Sequence, residues 1–215
     1  MHTGFKALGL LLAAVVLLQA ELLDRIAITV GNQVITEQEI YEQLRIAAFL
    51  DGKEPQFTQQ QLRDTADRMV LQRLVVQDMD ANGFEPPTEE EVAASFAESR
   101  ALLWGSEEEF TAAAASAKVS REAVMDFIKS MVATMKYIEF RFRPAVRVTD
   151  AALLERYQEK YNALDPEAGD PPPFEDVRDA LEAEITDESV NRVVERWLED
   201  ASTRAGVRYK PEVIP

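Results

Sequence analysis

The spacing of apolar positions changes once along this chain. From Arg25 to Thr36, the stretch RIAITVGNQVIT sets β-branched residues on both sides of Gly31-Asn32. A Gly-Asn pair tolerates the positive φ angles of a two-residue turn, so the pattern predicts a hairpin of two strands. Beyond it the apolar positions recur at helical spacing. Punctuation divides that remainder into helices near 37–50, 58–82, 89–103, 107–117, 121–142, 150–163, 174–186 and 188–205. Four starts carry a Ser/Thr followed three residues later by Glu or Gln: Thr36/Glu39, Thr58/Gln61, Thr88/Glu91 and Ser106/Glu109. Each hydroxyl can accept from an exposed backbone N–H while the acid or amide reaches back. Gly52, Gly83 and Gly105 mark stops, where glycine supplies the left-handed conformation. Val207 to Tyr209 predicts a last short strand that pairs with the hairpin and ties the ends of the fold together. The predicted class is therefore mostly α, with a small N-terminal hairpin and a short C-terminal strand.

Two segments are the most apolar. In 58–82, Leu62, Ala66, Met69, Val70, Leu74 and Val75 form a stripe, widened by Leu71, Val76 and Met79. In 121–142, Val124, Phe127, Ile128, Met131, Met135 and Ile138 form another, with Met125, Val132, Tyr137 and Phe140 partly off it. A helix apolar around most of its circumference is either central to a core or covers part of another molecule.

The first 20 residues stand outside this pattern. A short basic start to Lys6, an apolar run from Ala7 to Leu18 and a small residue at Ala20 have the layout of a secretory signal peptide. The run is too short to span a bilayer comfortably, which takes about 20 residues. The expected organisation is thus a signal over 1–20 and one domain over 21–215. Stable membrane insertion is not expected once the signal is cleaved; an uncleaved anchor is the alternative. Removing Lys6 leaves 22 basic against 39 acidic residues, a net −17. Such a surface repels nucleic acid and anionic lipid. The chain has no Cys, and its one His, His2, leaves with the signal. An exported fold without disulfides must rest on its apolar core, and most nucleophilic and metal-dependent mechanisms lose their usual residues.

Few other stretches suggest chemistry. DMDANGFEPPTE sets Asp78, Asp80, Asn82, Gly83 and Glu89 at positions 1, 3, 5, 6 and 12 of a calcium loop. Glu85 stands where such loops are apolar, and Pro86-Pro87 stiffens the part that must curl. Helix punctuation explains the same residues: Gly83 ends one helix and Thr88 caps the next, so no metal or cofactor is expected. The runs Glu89-Glu90-Glu91 and Glu107-Glu108-Glu109 sit in first turns, where negative charge suits the helix dipole. A glycosidase-type carboxylate pair is not excluded by spacing, but nothing selects one. No glycine-rich phosphate loop or Gly-x-Ser-x-Gly elbow occurs.

From LLDRIAITVGNQVITEQEI onward the chain resembles the chaperone part of the SurA/PrsA-like periplasmic foldases. The hairpin leads into Glu39 as in that family. LRDTADRMVLQRLVVQDMDANGFEPPTEEEV resembles its apolar helix and closing glycine, and LLWGSEEEF its Gly-Ser-Glu-Glu-Glu-Phe helix. VTDAALLERYQEKY is similar to the segment that precedes the isomerase domain, and PFEDVRDALEAEITDESVNRVVERWLEDASTRAGVRY to the closing helix pair and last strand. The similarity runs over nearly all of 22–210 and lies in order and extent, not in one motif. In many members a parvulin-type prolyl isomerase sits between the last two of these segments. Here 162–173 takes that place, far too short for a domain.

The resemblance implies a periplasmic chaperone that holds unfolded exported or outer-membrane polypeptides without catalysis. Its expected partners are extended client chains; homodimerisation is left open. The helix 121–142 is the expected wall of the client groove, with Met131, Met135, Tyr137, Phe140 and Phe142 as its contacts, since aromatic and thioether side chains adapt to varied apolar partners. An adaptor with one fixed partner is the alternative, and an active prolyl isomerase a more distant one.

Overall fold

A computed structural model describes residues 24–161 and 171–213. The signal over 1–20 and residues 162–170 of the expected linker lie outside the described residues. Strands β1 (Ile26–Val30) and β2 (Gln33–Thr36) are followed by α1 (Glu37–Leu50), α2 (Gln59–Asn82), α3 (Glu89–Leu103), α4 (Glu107–Ala117) and α5 (Arg121–Arg141). A 3-10 turn at Arg143–Ala145 leads to α6 (Asp150–Tyr161), α7 (Phe174–Ala205) and β3 (Arg208–Tyr209). The fold is mostly α, as the sequence pattern predicts, with an antiparallel strand pair at its start and a short strand near its end.

The three strands form one sheet in the order β2-β1-β3. Val30 faces Gln33 across the turn, and Gly31 takes a φ of 61°. The turn is anchored as well as permitted: the Gly31 N–H donates to the Ala205 carbonyl at 2.9 Å, so the end of α7 holds the hairpin tip. Ile28 and Thr29 pair with Tyr209 and Arg208, closing the ends of the fold on each other.

Helix punctuation works largely as read. Thr36 and Thr88 form complete capping boxes with Glu39 and Glu91. At α2, Thr58 accepts from the Gln61 N–H, but the return bond is missing and the buried Gln61 side-chain oxygen has no protein partner. At α4, Ser106 accepts from the Glu109 N–H, while the Glu109 carboxylate reaches one residue further back, to the Gly105 N–H at 2.8 Å. Gly105 therefore belongs to the start of α4. The end of α3 is Trp104, in extended conformation; of the three glycines expected as stops, Gly83 is the one that is itself the left-handed cap, as Gly206 is for α7.

One boundary differs. The expected helices 174–186 and 188–205 are a single 32-residue helix, α7. Leu181, Ile185, Val190, Val194 and Ala201 keep one buried stripe going through Thr186-Asp187. Tertiary packing of that stripe outweighs the local preference of Thr and Asp for a helix start. Ion pairs secure the same stretch: Arg143 meets Asp187 at 2.7 Å, and Arg156 meets both Glu184 and Glu188 at 2.7 Å. These contacts hold the Glu184 and Glu188 carboxyls below their usual range, Glu184 chiefly through Lys160 and Glu188 chiefly through Arg156.

The apolar interior is a chain of clusters. One joins the sheet to α1, α2 and the end of α7 around Ile28, Val30, Ile40, Val70 and Leu74. A second joins α1, α3, α4 and α5 around Phe49, Phe96, Phe110 and Ile128. Between α2 and α5 lie Val75, Met79 and Tyr137, and between α5 and α7 lie Phe142, Val190 and Val194. Leu153 of α6 packs on Leu181 and Ile185 in an outlying arm. Phe142 is 5% exposed, with its ring 5.4 Å from that of Trp197. Replacing it by Ala should cost about 3–5 kcal/mol, the usual loss for a buried aromatic. Urea denaturation followed by circular dichroism checks this; a cost under about 1 kcal/mol would show that α5 and α7 hold together without it.

Candidate functional site

The residues expected to wall a client groove do not all share a surface. Tyr137 is fully buried and Phe142 nearly so, whereas Met135 is 59% and Phe140 62% exposed; Met131 is half-buried. Tyr137 and Phe142 are thus core residues, a correction to the expected set. Met135 and Phe140 lie roughly 140° apart around an ideal helix of 3.6 residues per turn, so they do not face one way. Phe140 rests on Phe84 at 4.9 Å. The extra apolar residues of α5 are mostly explained by centrality, since the helix packs against α1, α2 and α3 and its Tyr137 and Ile128 are completely covered.

Tyr137 carries the one polar network in this part of the core. Its hydroxyl donates to Asp78 at 2.8 Å and accepts from the Asn82 side-chain amide at 3.1 Å. Arg141 approaches the same Asp78 carboxylate at 2.8 Å. The residues of the calcium-loop spacing are placed differently from a loop. Asp78, Asp80 and Asn82 are all in the last turn and a half of α2, and Asp78 and Asp80 point about 160° apart around it. Asp78 is also taken up by a phenol and a guanidinium. Among the described residues no group of three or more His, Cys, Asp or Glu is placed to hold a metal ion.

Burial, and then the bond to Asp78, push the Tyr137 phenol up to about 12. A phenol raised in the folded state binds its proton where the unfolded chain has lost it. Its share of stability is complete below about pH 10 and is lost as pH rises towards 12. Subtracting the phenolate absorbance titration of Tyr137→Phe from that of the parent should reveal one group titrating near 12; a difference curve centred near 10 would mean the phenol is not buried against Asp78.

A different surface has the character of a binding site. Phe49, Trp104, Phe110 and Phe96 stack in series where α1, α3, α4 and α5 meet. The Phe49 and Trp104 rings lie 4.5 Å apart and Phe110 meets Trp104 edge-on at 5.3 Å. Phe96 closes the series against Phe110 at 5.2 Å, with the Arg121 guanidinium over its ring at 4.6 Å. The inner members are buried, but Trp104 is only half-buried and opens into a cleft of about 430 Å³. Phe57, 43% exposed in the α1–α2 connection, lines the cleft and leans on Tyr41 at 5.2 Å. Three cations, Arg45, Lys53 and Lys118, also line it, with Glu54 as the only acid. Lys118 takes a left-handed φ of 56° to end α4 there.

The sequence reading missed this cleft because its residues come from positions 45 to 118 and from four elements. Two signals could have marked it. Phe57 is an aromatic in an otherwise polar connection, and Trp104 follows Leu102-Leu103 at the point where α3 stops.

The fold class is thus a helical domain whose small sheet joins its two ends. No family model, curated protein or solved structure matches the chain. No helix of the described residues is long and apolar enough to cross a membrane.

Proposed function

We propose that this protein is an exported holding chaperone of the periplasm. Its first 20 residues act as the signal, and it keeps unfolded exported or outer-membrane polypeptides from aggregating without cofactor or catalysis. The observation that carries this reading is the open aromatic cleft of Phe57 and Trp104. Aromatic pairs add about 0.5–1.5 kcal/mol beyond the area they bury. A client's aromatic and aliphatic residues can stack there, and Arg45 and Lys53 can pair with its carbonyls or carboxylates. An interaction of that size is weak and reversible, as holding requires. The acidic remainder of the surface keeps a loaded complex dispersed by charge repulsion.

Light scattering tests it. An unfolded outer-membrane protein diluted from urea should aggregate more slowly with the full chain present. Phe57→Ser should lose much of that protection while costing about 1 kcal/mol or less, because the ring is partly exposed. Phe140→Ser should leave protection intact. Equal protection by Phe57→Ser and the parent would place the client surface elsewhere, and no protection by the parent would sink the chaperone reading. A peptide panel separates the alternatives: many unrelated extended peptides bound weakly fits a chaperone, one folded partner an adaptor. Prolyl isomerisation of a model peptide should keep its uncatalysed rate, tens to hundreds of seconds at 25 °C, at every protein concentration; saturable acceleration would make the protein an isomerase.

A further inference from the structure

A second groove, of about 540 Å³, runs between the 3-10 turn after α5 and the middle of α7. Its apolar part is Val146 and Val193, both half-buried. Arg147, Arg192 and Arg196 line it, and their charge is unusual in its setting. Neighbouring cations are taken: Arg143 by Asp187, Arg156 by Glu184 and Glu188, Lys160 by Glu184 and Arg178 by Asp150. In a chain of 39 acids and 23 bases, three adjacent arginines meet no carboxylate within 4.0 Å among the described residues.

Their own bonds hold them locally. Arg147 Nη1 donates to the carbonyls of Pro144 at 2.7 Å and Val146 at 2.9 Å. Arg192 Nη2 donates to Ser189 Oγ at 2.9 Å, and Arg196 Nε to the Arg192 carbonyl at 3.4 Å. Each guanidinium has five N–H donors, so every one keeps donors for an anion, and Arg147 is already braced against its loop.

We propose that this groove receives the C-terminal carboxylate of a polypeptide whose last residue is apolar. The α-carboxylate lies on the guanidinium groups, which match it in charge and can bind it bidentately. The last side chain covers Val146 and Val193. Size and surroundings choose this occupant. Arg192 and Arg196 are one helical turn apart, roughly 6 Å, which suits a single carboxylate. An extended polyanion would have to cross Asp187, Glu188, Glu199 and Asp200 of the same helix, all exposed. Glu195 also lines the groove and repels the second carboxylate that an acidic internal segment would bring. The inference does not depend on the holding role, because the groove shares no residue with the aromatic cleft.

The test is fluorescence anisotropy on the full chain with a short labelled peptide of neutral residues ending in Leu, offered as the free acid and as the C-terminal amide. The acid should bind saturably and weaken with salt, and the amide should bind at least tenfold less tightly. Arg192→Gln or Arg196→Gln should each weaken the acid about tenfold, the loss expected for one hydrogen bond to a charged group. Melting temperatures should stay at the parent value, and Arg68→Gln, an exposed arginine on α2, should bind like the parent. The inference is overturned if acid and amide bind alike, if the acid shows no saturable binding at millimolar concentration, or if an amidated peptide with internal Glu residues competes equally well.

Discussion

Trp197 touches three apolar clusters: the one under the sheet, the one between α2 and α5 and the one between α5 and α7. It does so from a helix of 32 residues, about 48 Å at 1.5 Å per residue. The interior of this protein is not one compact mass. It is a series of small clusters, none large enough to order its neighbours alone, and there is no Cys to staple them. The continuity of α7 is therefore the constraint on which the rest depends. Its first half carries the α6 arm, its middle receives Phe142 and the end of α5, and its last turn binds the hairpin tip through Gly31. A break at Thr186-Asp187 would separate the arm from everything else.

Charge divides the surface in a way that composition alone conceals. Most of the acidic excess lies on helix first turns and outward faces. Where acids cluster on α6 and α7, arginine and lysine side chains bridge them, at ion-pair distances near 2.7 Å on partly exposed side chains. Exposed pairs of this kind contribute little stability one by one, but they leave the remaining cations more conspicuous. Several of those cations border the two concave regions: Arg45 and Lys118, beside the Asp51-paired Lys53, around the aromatic cleft, and Arg147, Arg192 and Arg196 along the α7 groove. At physiological salt, fields fade over about 8 Å, so each patch presents a locally positive site on a molecule that is strongly negative at a distance.

Local signals carried the fold a long way. The hairpin at Gly31-Asn32, the hydroxyl caps and the left-handed stop at Gly83 each depend on a few neighbouring residues, and all are found. The continuity of α7 was not legible, because it rests on Val190 and Val194 packing on Phe142. The same limit applies to function. Periodicity shows that α5 is rich in apolar residues but cannot say which side its neighbours cover. Tyr137 is needed inside, to hydrogen-bond Asp78, while Phe140 is left outside on Phe84. The cleft of Phe57 and Trp104 depends on four elements converging, and no spacing in the sequence encodes that.

The pairing of β1 with β3 has a consequence for how such a chain is made. Ile28 and Tyr209 are neighbours in the sheet yet are separated by nearly the whole described chain. A polypeptide that emerges N-terminus first presents its hairpin early, with one edge of β1 unpaired and the residues that will cover Ile28 and Val30 still to come. The partner strand, the Ala205 carbonyl that holds the hairpin tip and the Asp67–Tyr209 bond at 2.6 Å arrive last. Closing a loop of that length is costly in entropy, though the cost grows only slowly with length. Until the final turn of α7 docks, the nascent protein keeps an exposed strand edge, open to pairing with any other extended chain it meets.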